Sequence, residues 1–307
     1  MKPEVLVITG PTATGKTKLA VMTAKAINGE VVGADSMQIY KHMDIGTAKP
    51  SIEEMEGVPH HMIDVCSPFE DYSVSRYVEE AAKCCEDIIS RGKTPIIAGG
   101  TGLYIESLLS GRDFAPGIVG NGIREELSEE YDTVGGEAML RKLAEIDPAS
   151  GNKLHANDKK RIVRALEVYL TTGKTITQHN EETLAIPPRY TSRTIALTFK
   201  DRARLYDRID RRVDMMLEMG LMDEIQKLLD MGLGETSTAM QAIGYKEIVA
   251  ALKGECTMEE GIEAVKRESR RYAKRQLSWL RRDKSINWIE WDEEPDFNEA
   301  LSIVTQF

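Results

Sequence analysis

Residues 10–17 of this chain, GPTATGKT, match the pattern G-x-x-x-x-G-K-T that is typical of a phosphate-binding loop. The apolar run Val5–Ile8 precedes the loop, and the residues from Leu19 onward have a pattern typical of a helix. In such a strand–loop–helix unit, backbone N–H groups turn inward around a phosphate chain and the helix contributes the positive end of its dipole. The sequence therefore predicts binding of a diphosphate or a triphosphate, and it leaves open what happens to that group.

Two side chains of the loop add chemistry to these backbone contacts. Lys16 supplies a positive charge, and the hydroxyl of Thr17 is a candidate ligand for Mg²⁺. We predict phosphate contacts from the loop residues Gly10, Thr12, Ala13, Thr14, Gly15, Lys16 and Thr17.

The first hundred residues alternate between predicted strands and helices. Strands are predicted over 5–9, 30–34, 62–65 and 95–98, and helices over 15–27 and 74–90. Continuous apolar strands separated by helices indicate an α/β fold, with a P-loop-type parallel sheet covered by helices on both faces. Because ligands of such sheets bind at the carboxyl ends of the strands, we expect loops 10–17, 35–38 and 99–104 to meet at one edge.

The character of the sequence changes after Phe114–Gly117. Residues 117–193 are rich in helix formers and predict a mainly helical insertion domain, whereas residues 1–116 and 194–307 predict one catalytic core. Within the second part of that core, strands are predicted over 194–197 and 286–291, with helices between them.

Composition and charge indicate which cellular compartment, partners and metal sites to expect. The 307 residues have a net charge of −10, no apolar stretch approaches the roughly 18 residues that span a bilayer, and the four cysteines form no C-x-x-C pair. The chain begins directly in a predicted strand, without a basic and then apolar leader. We therefore expect a cytoplasmic monomer with reduced thiols, no metal site built on cysteines and no membrane partner.

Two basic clusters contrast with this acidic average. One lies within Lys159–Arg164, and the other is Lys266–Lys284, in which only Glu268 and Asp283 oppose the positive charges. A local basic stripe on an acidic protein is either a docking surface for a polyanion or a solvated helix face. Charge alone does not decide between these two interpretations.

Two positions at the expected sheet edge are candidates for chemistry. Asp35 ends a predicted strand, where a carboxylate either accepts a proton or binds Mg²⁺ through water, or else caps the next turn. Thr101 lies in the glycine-rich segment Gly99–Gly102, where it either hydrogen-bonds a phosphate or leaving-group oxygen or belongs to a strand–helix turn.

Other candidates carry weaker signals. Arg208 and Arg212 lie four residues apart on one helical face, so they either clamp a diphosphate or pair with nearby aspartates. Asp64 follows an apolar pair, as does the aspartate that supports Mg²⁺ in many phosphate-loop proteins. The adjacent His60 and His61 are expected to be structural, because neighbours on a strand point to opposite faces.

Taken together, these segments resemble the bacterial tRNA dimethylallyltransferases, the isopentenyl-transferring enzymes. The resemblance spans nearly the whole chain in order, through the segments Gly10–Thr17, Ala34–Tyr40, Asp44–Pro50, Val58–Asp64, Gly99–Tyr104, Asp158–Glu167, Gln241–Glu247 and Arg271–Trp279. It implies dimethylallyl diphosphate as the donor, and as the acceptor N6 of the adenosine immediately 3′ of the tRNA anticodon.

The resemblance also implies roles for the candidate residues. Asp35 is implied as the general base or as the acceptor that orients the amine, while Lys16, Mg²⁺ near Thr17, Thr101 and Arg212 stabilise the departing pyrophosphate. The implied tRNA-binding residues are Asp35, Ser36, Met37, Gln38, Thr101, Arg124, Lys159, Lys160, Arg161, Arg164, Lys274 and Arg275. Among these, Gln38 has an amide that can read an adenine edge.

Three other functions use the same phosphate loop. A small-molecule kinase would consume ATP and close a lid over its acceptor. An adenylate isopentenyltransferase would use the same donor with a free nucleotide, for which the basic clusters are not needed. A nucleotide-switched RNA-binding module would perform no chemistry, and Asp35→Asn would leave it unaltered.

Overall fold

The computed structural model describes residues 2–111 and 122–306, which fall into two compact units. The first unit contains the chain up to Leu109 and resumes at Arg189, and the second is Ser110–Pro188. The predicted domain boundary between residues 116 and 117 lies outside the described residues.

The first unit is built on one six-stranded sheet. Its strands are β1 (Glu4–Thr9), β2 (Gly29–Gly33), β3 (His60–His61), β4 (Thr94–Gly99), β5 (Thr191–Phe199) and β6 (Asn287–Trp291). They pair in the order β3-β2-β4-β1-β5-β6, and every pairing is parallel. The predicted parallel α/β fold is therefore confirmed, with β1 and its loop at the centre of the sheet.

The strand predicted over 62–65 was wrong. The strand at this point is His60–His61, which pairs with Val31 and Val32, and it ends before Met62. Met62 and Asp64 have φ angles of 63° and 56°, so the chain leaves the extended conformation there.

Helices flank the strands of the first unit. They are α1 (Lys16–Ile27), α2 (Ile52–Met55), α3 (Val74–Ser90), α4 (Gly102–Ser110), α10 (Arg202–Glu218), α11 (Leu221–Asp230), α12 (Tyr245–Leu252), α13 (Met258–Leu280) and α14 (Phe297–Thr305). Helix α3 begins where the side chain of Ser73 accepts a hydrogen bond from the N–H of Arg76, and ends as predicted at Ser90. The sheet and these helices enclose a core that includes Ile8, Leu19, Ile96 and Leu197.

The described part of the second unit is helical. It contains α5 (Ile123–Val134), α6 (Gly136–Ile146), α7 (Pro148–Lys153), α8 (Lys159–Thr172) and α9 (Ile176–Leu184). Leu127, Met139, Leu143, Ile162 and Leu166 form its own apolar core. Met139 and Leu143 lie four residues apart in α6, as do Ile162 and Leu166 in α8, which is the amphipathic spacing that buries one stripe of a helix.

Two further expectations concern membranes and cysteines. Among the described residues, no helix combines the length and the apolar character needed to cross a membrane. All four cysteines (Cys66, Cys84, Cys85 and Cys256) are free thiols.

Candidate active site

Three loops meet at the carboxyl edge of the sheet, as expected from the parallel topology. The hydroxyl of Thr9, at the end of β1, donates to the carbonyl of Gly99 at 2.9 Å. The N–H of Thr101 donates to the carbonyl of Ala34 at 3.0 Å, and the N–H of Ser36 donates to Oγ1 of Thr101 at 3.0 Å. These bonds hold Thr101 directly beside the turn that follows Asp35.

The phosphate loop depends on its two glycines. Gly10 has a φ of 138°, and a Cβ there would collide with the carbonyl oxygen of Leu197 on β5. Gly15 has a φ of 88°, and a Cβ there would lie 2.7 Å from the ring of Phe297. Since side chains avoid this region of φ, both positions require glycine for conformation and for space.

Two cations face the loop without acidic partners. Nζ of Lys16 donates to the carbonyl of Pro11 at 2.7 Å, and Arg212 on α10 approaches the hydroxyl of Thr12 at 3.4 Å. Burial, and then the nearby Arg212, lower the pKa of Lys16 to about 7, against the opposing effect of Asp35. Burial also lowers the pKa of Arg212. Within the described residues neither cation has a salt bridge, so an anion bound here would relieve their repulsion.

Arg208 also reaches the loop, but unlike Arg212 it is paired with a carboxylate among the described residues. Its Nε donates to the carbonyl of Ala13 at 3.3 Å, and its Nη1 lies 3.0 Å from Glu294. The alternative of pairing with nearby aspartates is not realised by either arginine, because Asp207 pairs with Arg211 and Asp210 with Arg270.

Asp35 uses its two carboxylate oxygens differently. Oδ1 accepts hydrogen bonds from the N–H groups of Met37 at 2.9 Å and of Gln38 at 3.4 Å, so Asp35 does cap the following turn. Oδ2 accepts no hydrogen bond from the part of the chain that the structure describes. The cap fixes the direction of the carboxylate, and the second oxygen is left to accept a proton or hydrogen bond from a ligand.

The amide of Gln38 is also held in one orientation. Its Nε2 donates to the carbonyls of Thr47 at 3.1 Å and Ala48 at 3.0 Å. Both amide hydrogens are thus committed to the protein, which leaves the side-chain oxygen as the end that can contact a ligand.

The side chains of Glu224 and Lys49 fix the backbone segment to which Gln38 is bonded. The carboxylate of Glu224 on α11 accepts from the N–H groups of Asp44 at 2.7 Å, Ile45 at 2.8 Å and Gly46 at 3.0 Å. Lys49, whose side chain is only 5 % exposed, pairs with Asp64 at 2.6 Å and with Asp44 at 2.5 Å. Asp64 therefore belongs to this support.

Neither histidine of the pair forms a metal site. His60 contacts the carbonyl of Val58 at 2.8 Å, and His61 contacts the buried carboxylate of Glu30 at 2.8 Å. No cluster of three histidine, cysteine or acidic side chains suited to a metal ion occurs within residues 2–111 and 122–306.

The basic stretch on α13 divides into paired and unpaired residues. Lys266 pairs with Asp214 at 2.6 Å and Arg270 with Asp210 at 2.6 Å, so α10 supplies opposing acids that the local sequence does not contain. Lys274 and Arg275 are exposed and have no salt bridge to any described residue. The guanidinium of Arg275 lies over the ring of Tyr272, 5.6 Å from its centroid.

In the second unit, a buried carboxylate orders two of the predicted tRNA-binding arginines. Glu167 lies 2.8 Å from Arg124 and 2.9 Å from Arg164. Burial opposes ionisation of Glu167, yet the hydrogen bonds from both arginines lower its pKa overall. Lys159 pairs with Asp132 at 2.6 Å, whereas Lys160 is exposed.

Residues far along the chain complete the site and were not predicted from the sequence. Gln276 on α13 bonds both the N–H of Thr12 and the carbonyl of Gly100, and the indole of Trp291 donates to the carbonyl of Thr14 at 3.0 Å. No local pattern marks either residue, although Gln276 lies within one of the segments that carried the family resemblance.

Comparison with known protein families agrees with this geometry. The model described as IPP transferase matches residues 38–283, and the model described as isopentenyl transferase matches residues 3–67. The chain belongs to the IPP transferase family. The family resemblance identified from the sequence is thereby confirmed.

Individual members of the family cover the chain almost completely. A tRNA dimethylallyltransferase of Acetivibrio thermocellus is 51 % identical over 289 residues, covering 94 % of this chain and 92 % of that relative. The solved structure of a full-length tRNA isopentenylpyrophosphate transferase from Bacillus halodurans has a TM-score of 0.74 at 41 % identity, covering 100 % of this chain and 95 % of that one.

A second structure comes from a eukaryotic dimethylallyltransferase, described in crystallographic snapshots as acting on tRNA. It has a TM-score of 0.82 at 31 % identity, and the match covers 99 % of this IPP transferase chain and 77 % of the eukaryotic one. Both structural matches thus cover 99 % or more of this chain.

Proposed function

We propose that this IPP transferase moves a dimethylallyl group from dimethylallyl diphosphate to N6 of the adenosine immediately 3′ of a tRNA anticodon, releasing pyrophosphate. The relatives' names support both the transferred group and the tRNA acceptor. The observation that carries the proposal is the meeting of an anion site, formed by the loop with Lys16 and Arg212, and the capped carboxylate of Asp35 at one edge of the sheet.

The loop side of the site binds the leaving group. As the bond between the allylic carbon and oxygen breaks, negative charge accumulates on pyrophosphate, and the loop N–H groups, Lys16 and Arg212 stabilise it. We assign to Thr101 a hydrogen bond to an oxygen of the leaving group, for which its hydroxyl would turn away from Oγ of Ser36, 3.4 Å from it. Since no phosphoryl group is transferred, this role requires no hydrolysis of ATP.

Mg²⁺ fits the loop through one protein ligand. The hydroxyl of Thr17 has no hydrogen-bond partner in the described part of the chain, and Mg²⁺ typically binds one or two protein oxygens and completes its shell with phosphates and water. Bound there, the ion would neutralise charge on the diphosphate.

The opposite side of the site activates the acceptor. An aromatic amine is a weak nucleophile, so the transfer benefits from a base that takes a proton from N6 as the new C–N bond forms. Oδ2 of Asp35 has that role. The target adenine must leave the stacked anticodon arm to reach Asp35. The fixed side-chain oxygen of Gln38 can then accept a hydrogen bond from the exocyclic amine of that adenine.

Basic residues on the surface bind the RNA backbone. We assign phosphate contacts to Lys274 and Arg275 on α13, and to Arg124, Lys160, Arg161 and Arg164 in the helical unit, with Lys159 beside them. Ser36 and Met37 border the acceptor. The protein acts in the cytoplasm, where its tRNA substrate is found, and as a monomer.

The test incubates the protein with labelled dimethylallyl diphosphate, Mg²⁺ and an unmodified anticodon stem-loop. We expect label on the RNA, and none on a matched stem-loop that carries guanosine in place of the target adenosine. Transfer to free adenylate but not to RNA would replace this proposal with an adenylate isopentenyltransferase. No transfer, together with ATP turnover on a metabolite, would refute it in favour of a kinase.

The role of Asp35 is tested in the same assay with Asp35→Asn, which can keep the Oδ1 cap. Turnover should fall by about 100-fold or more, the usual contribution of a general base, while affinity for the stem-loop stays near the native value. If affinity falls as far as turnover, Asp35 is a binding residue and another group is the base.

A further inference from the structure

The buried side chain of Gln276 connects two loops of the site. It is only 7 % exposed on α13, and both ends of its amide are bonded. Oε1 accepts from the N–H of Thr12 in the phosphate loop at 3.1 Å, and Nε2 donates to the carbonyl of Gly100 at 2.9 Å. One planar amide therefore spans the gap between the donor loop and the turn that carries Thr101.

The fit on the Gly100 side is tight. A Cβ at Gly100 would collide with Nε2 of Gln276, so the close approach depends on the missing side chain. On the loop side, the hydroxyl of Thr12 is the atom that Arg212 approaches, at 3.4 Å. Thr12 is therefore the single residue that connects Gln276 to Arg212.

Gln276 is buried, so its amide is hydrogen-bonded by the protein and not by bulk water. An unpaired buried donor or acceptor is costly, so the loop and the Gly100 turn are held at a separation that satisfies both ends of the amide. The two bonds run in opposite directions, from a backbone N–H and to a backbone carbonyl, so only an amide of this length satisfies both.

We propose that Gln276 is a positioning residue that sets the distance between the diphosphate-binding loop and the Asp35–Thr101 side of the site. The inference rests on the proposed transfer reaction. The loop holds the diphosphate, and therefore the allylic carbon, while Thr101 bonds the backbone beside Asp35. Moving one side by a fraction of an ångström lengthens the approach of the amine to the carbon without removing any group that binds either substrate.

The test compares Gln276→Met and Gln276→Glu with the native protein under saturating donor and stem-loop. Methionine keeps the approximate volume and loses both bonds, whereas glutamate keeps an acceptor for Thr12 and loses the donor to Gly100. We expect kcat to fall about 10- to 100-fold with methionine, while KM for each substrate changes less than about threefold, and to fall at least as far with glutamate, whose second carboxylate oxygen would face the carbonyl oxygen of Gly100.

Two further variants control for folding. Gln226→Met changes an exposed glutamine whose amide, among the described residues, bonds only Asp230 on its own helix, and it should leave kcat unchanged. Gly100→Ala pushes the Gln276 amide aside without altering α13, and it should reproduce the loss of kcat at constant KM. Thermal midpoints of all variants identify any that do not fold.

The outcomes separate this inference from the proposed function. If the native protein does not prenylate RNA, the proposed function fails and the inference falls with it. If the native protein is active and folded Gln276 and Gly100 variants keep their kcat, the function stands and the positioning role is refuted. An equal loss in kcat and in substrate affinity would also refute it, because Gln276 would then be a binding residue.

Discussion

At the scale of single residues, the most informative feature is that two cations, Lys16 and Arg212, both lie at the phosphate loop. Both have lowered pKa values, first because they are buried and, for Lys16, next because of Arg212. A protein holds like charges together at a cost, which here is partly offset by Asp35 and, for Arg212, by Glu54, and which a ligand of opposite charge would offset further. Their arrangement indicates a site built for an anion.

A pH-dependent prediction follows for Lys16. With a pKa of about 7 in the free protein, its amine is mostly neutral at pH 8. A bound diphosphate raises that pKa, so binding at pH 8 should take up close to one proton, and affinity should fall up to about tenfold per pH unit above 7. Calorimetry of donor binding in buffers of different ionisation enthalpy measures the uptake.

The control for this measurement is Lys16→Met, which retains the titration of the diphosphate itself but lacks the amine. The native protein should show the larger proton uptake, and the difference between the two is the contribution of Lys16. Equal uptake in both proteins would mean that Lys16 is already charged before the donor binds.

Residue-scale chemistry was only partly predictable from the sequence. The motif located Lys16 and the strand end located Asp35, because both signals are local. The sequence placed Arg208 and Arg212 on one helical face but gave no means of separating them. Their different partners depend on Glu294, which lies more than eighty residues further along the chain and reaches Arg208 only in the fold.

At the scale of elements, α13 combines a structural and an electrostatic role. Arg270 faces α10 and is neutralised by Asp210, whereas Lys274 and Arg275 are exposed without a salt bridge to any residue that the structure describes. On this helix the charge of Arg270 is already compensated within the protein, so the electrostatic contribution of α13 to RNA binding should come from its exposed residues.

The prediction for α13 concerns salt dependence. Lys274→Ala and Arg275→Ala should each weaken stem-loop binding and lower the slope of log affinity against log salt by about 1, with no preference among RNA sequences. Lys83→Ala on α3 is the matched control, since it removes a charge that is also exposed but is paired with Glu79. Binding is measured from low to moderate salt, and Lys83→Ala should keep the native slope. The prediction is contradicted if Lys274→Ala and Arg275→Ala keep that slope as well.

Element boundaries were predictable where one periodicity extended over many residues. Helix α3 matched its predicted bounds because its apolar positions recur every three or four residues from Val74 to Ser90. The error at β3 arose from a short apolar run around Ile63. The left-handed backbone at Met62 and Asp64, and the bond of Asp64 to Lys49, are tertiary features that no short window contains.

At the scale of the whole molecule, the topology explains why distant segments share one site. Strand β1 lies between β4 and β5, so the loop after β1 borders both the Gly99–Gly102 turn and the segments that follow β5. Gln276 and Trp291 reach the loop by this route. The parallel fold and its active edge were predictable, but the strand order and these long-range partners were not.

We propose that the loop holds pyrophosphate as a leaving group and that the group transferred is the dimethylallyl group. A kinase and a prenyltransferase can share the phosphate loop, but they break different bonds. A kinase breaks a phosphorus–oxygen bond, and a prenyltransferase breaks the bond between the allylic carbon and the diphosphate oxygen. In this chain the carboxylate of Asp35 and the bonded turn at Thr101 face the loop from one sheet edge, an arrangement suited to an amine acceptor.

The most direct measurement offers the protein dimethylallyl diphosphate, ATP, Mg²⁺ and an anticodon stem-loop together, and determines the product by mass spectrometry of the digested RNA. We expect the target adenosine to gain one C₅H₈ unit, in a one-to-one ratio with released pyrophosphate and with ATP unchanged. A gain of a phosphoryl group on any acceptor, or consumption of ATP without a modified adenosine, would contradict it.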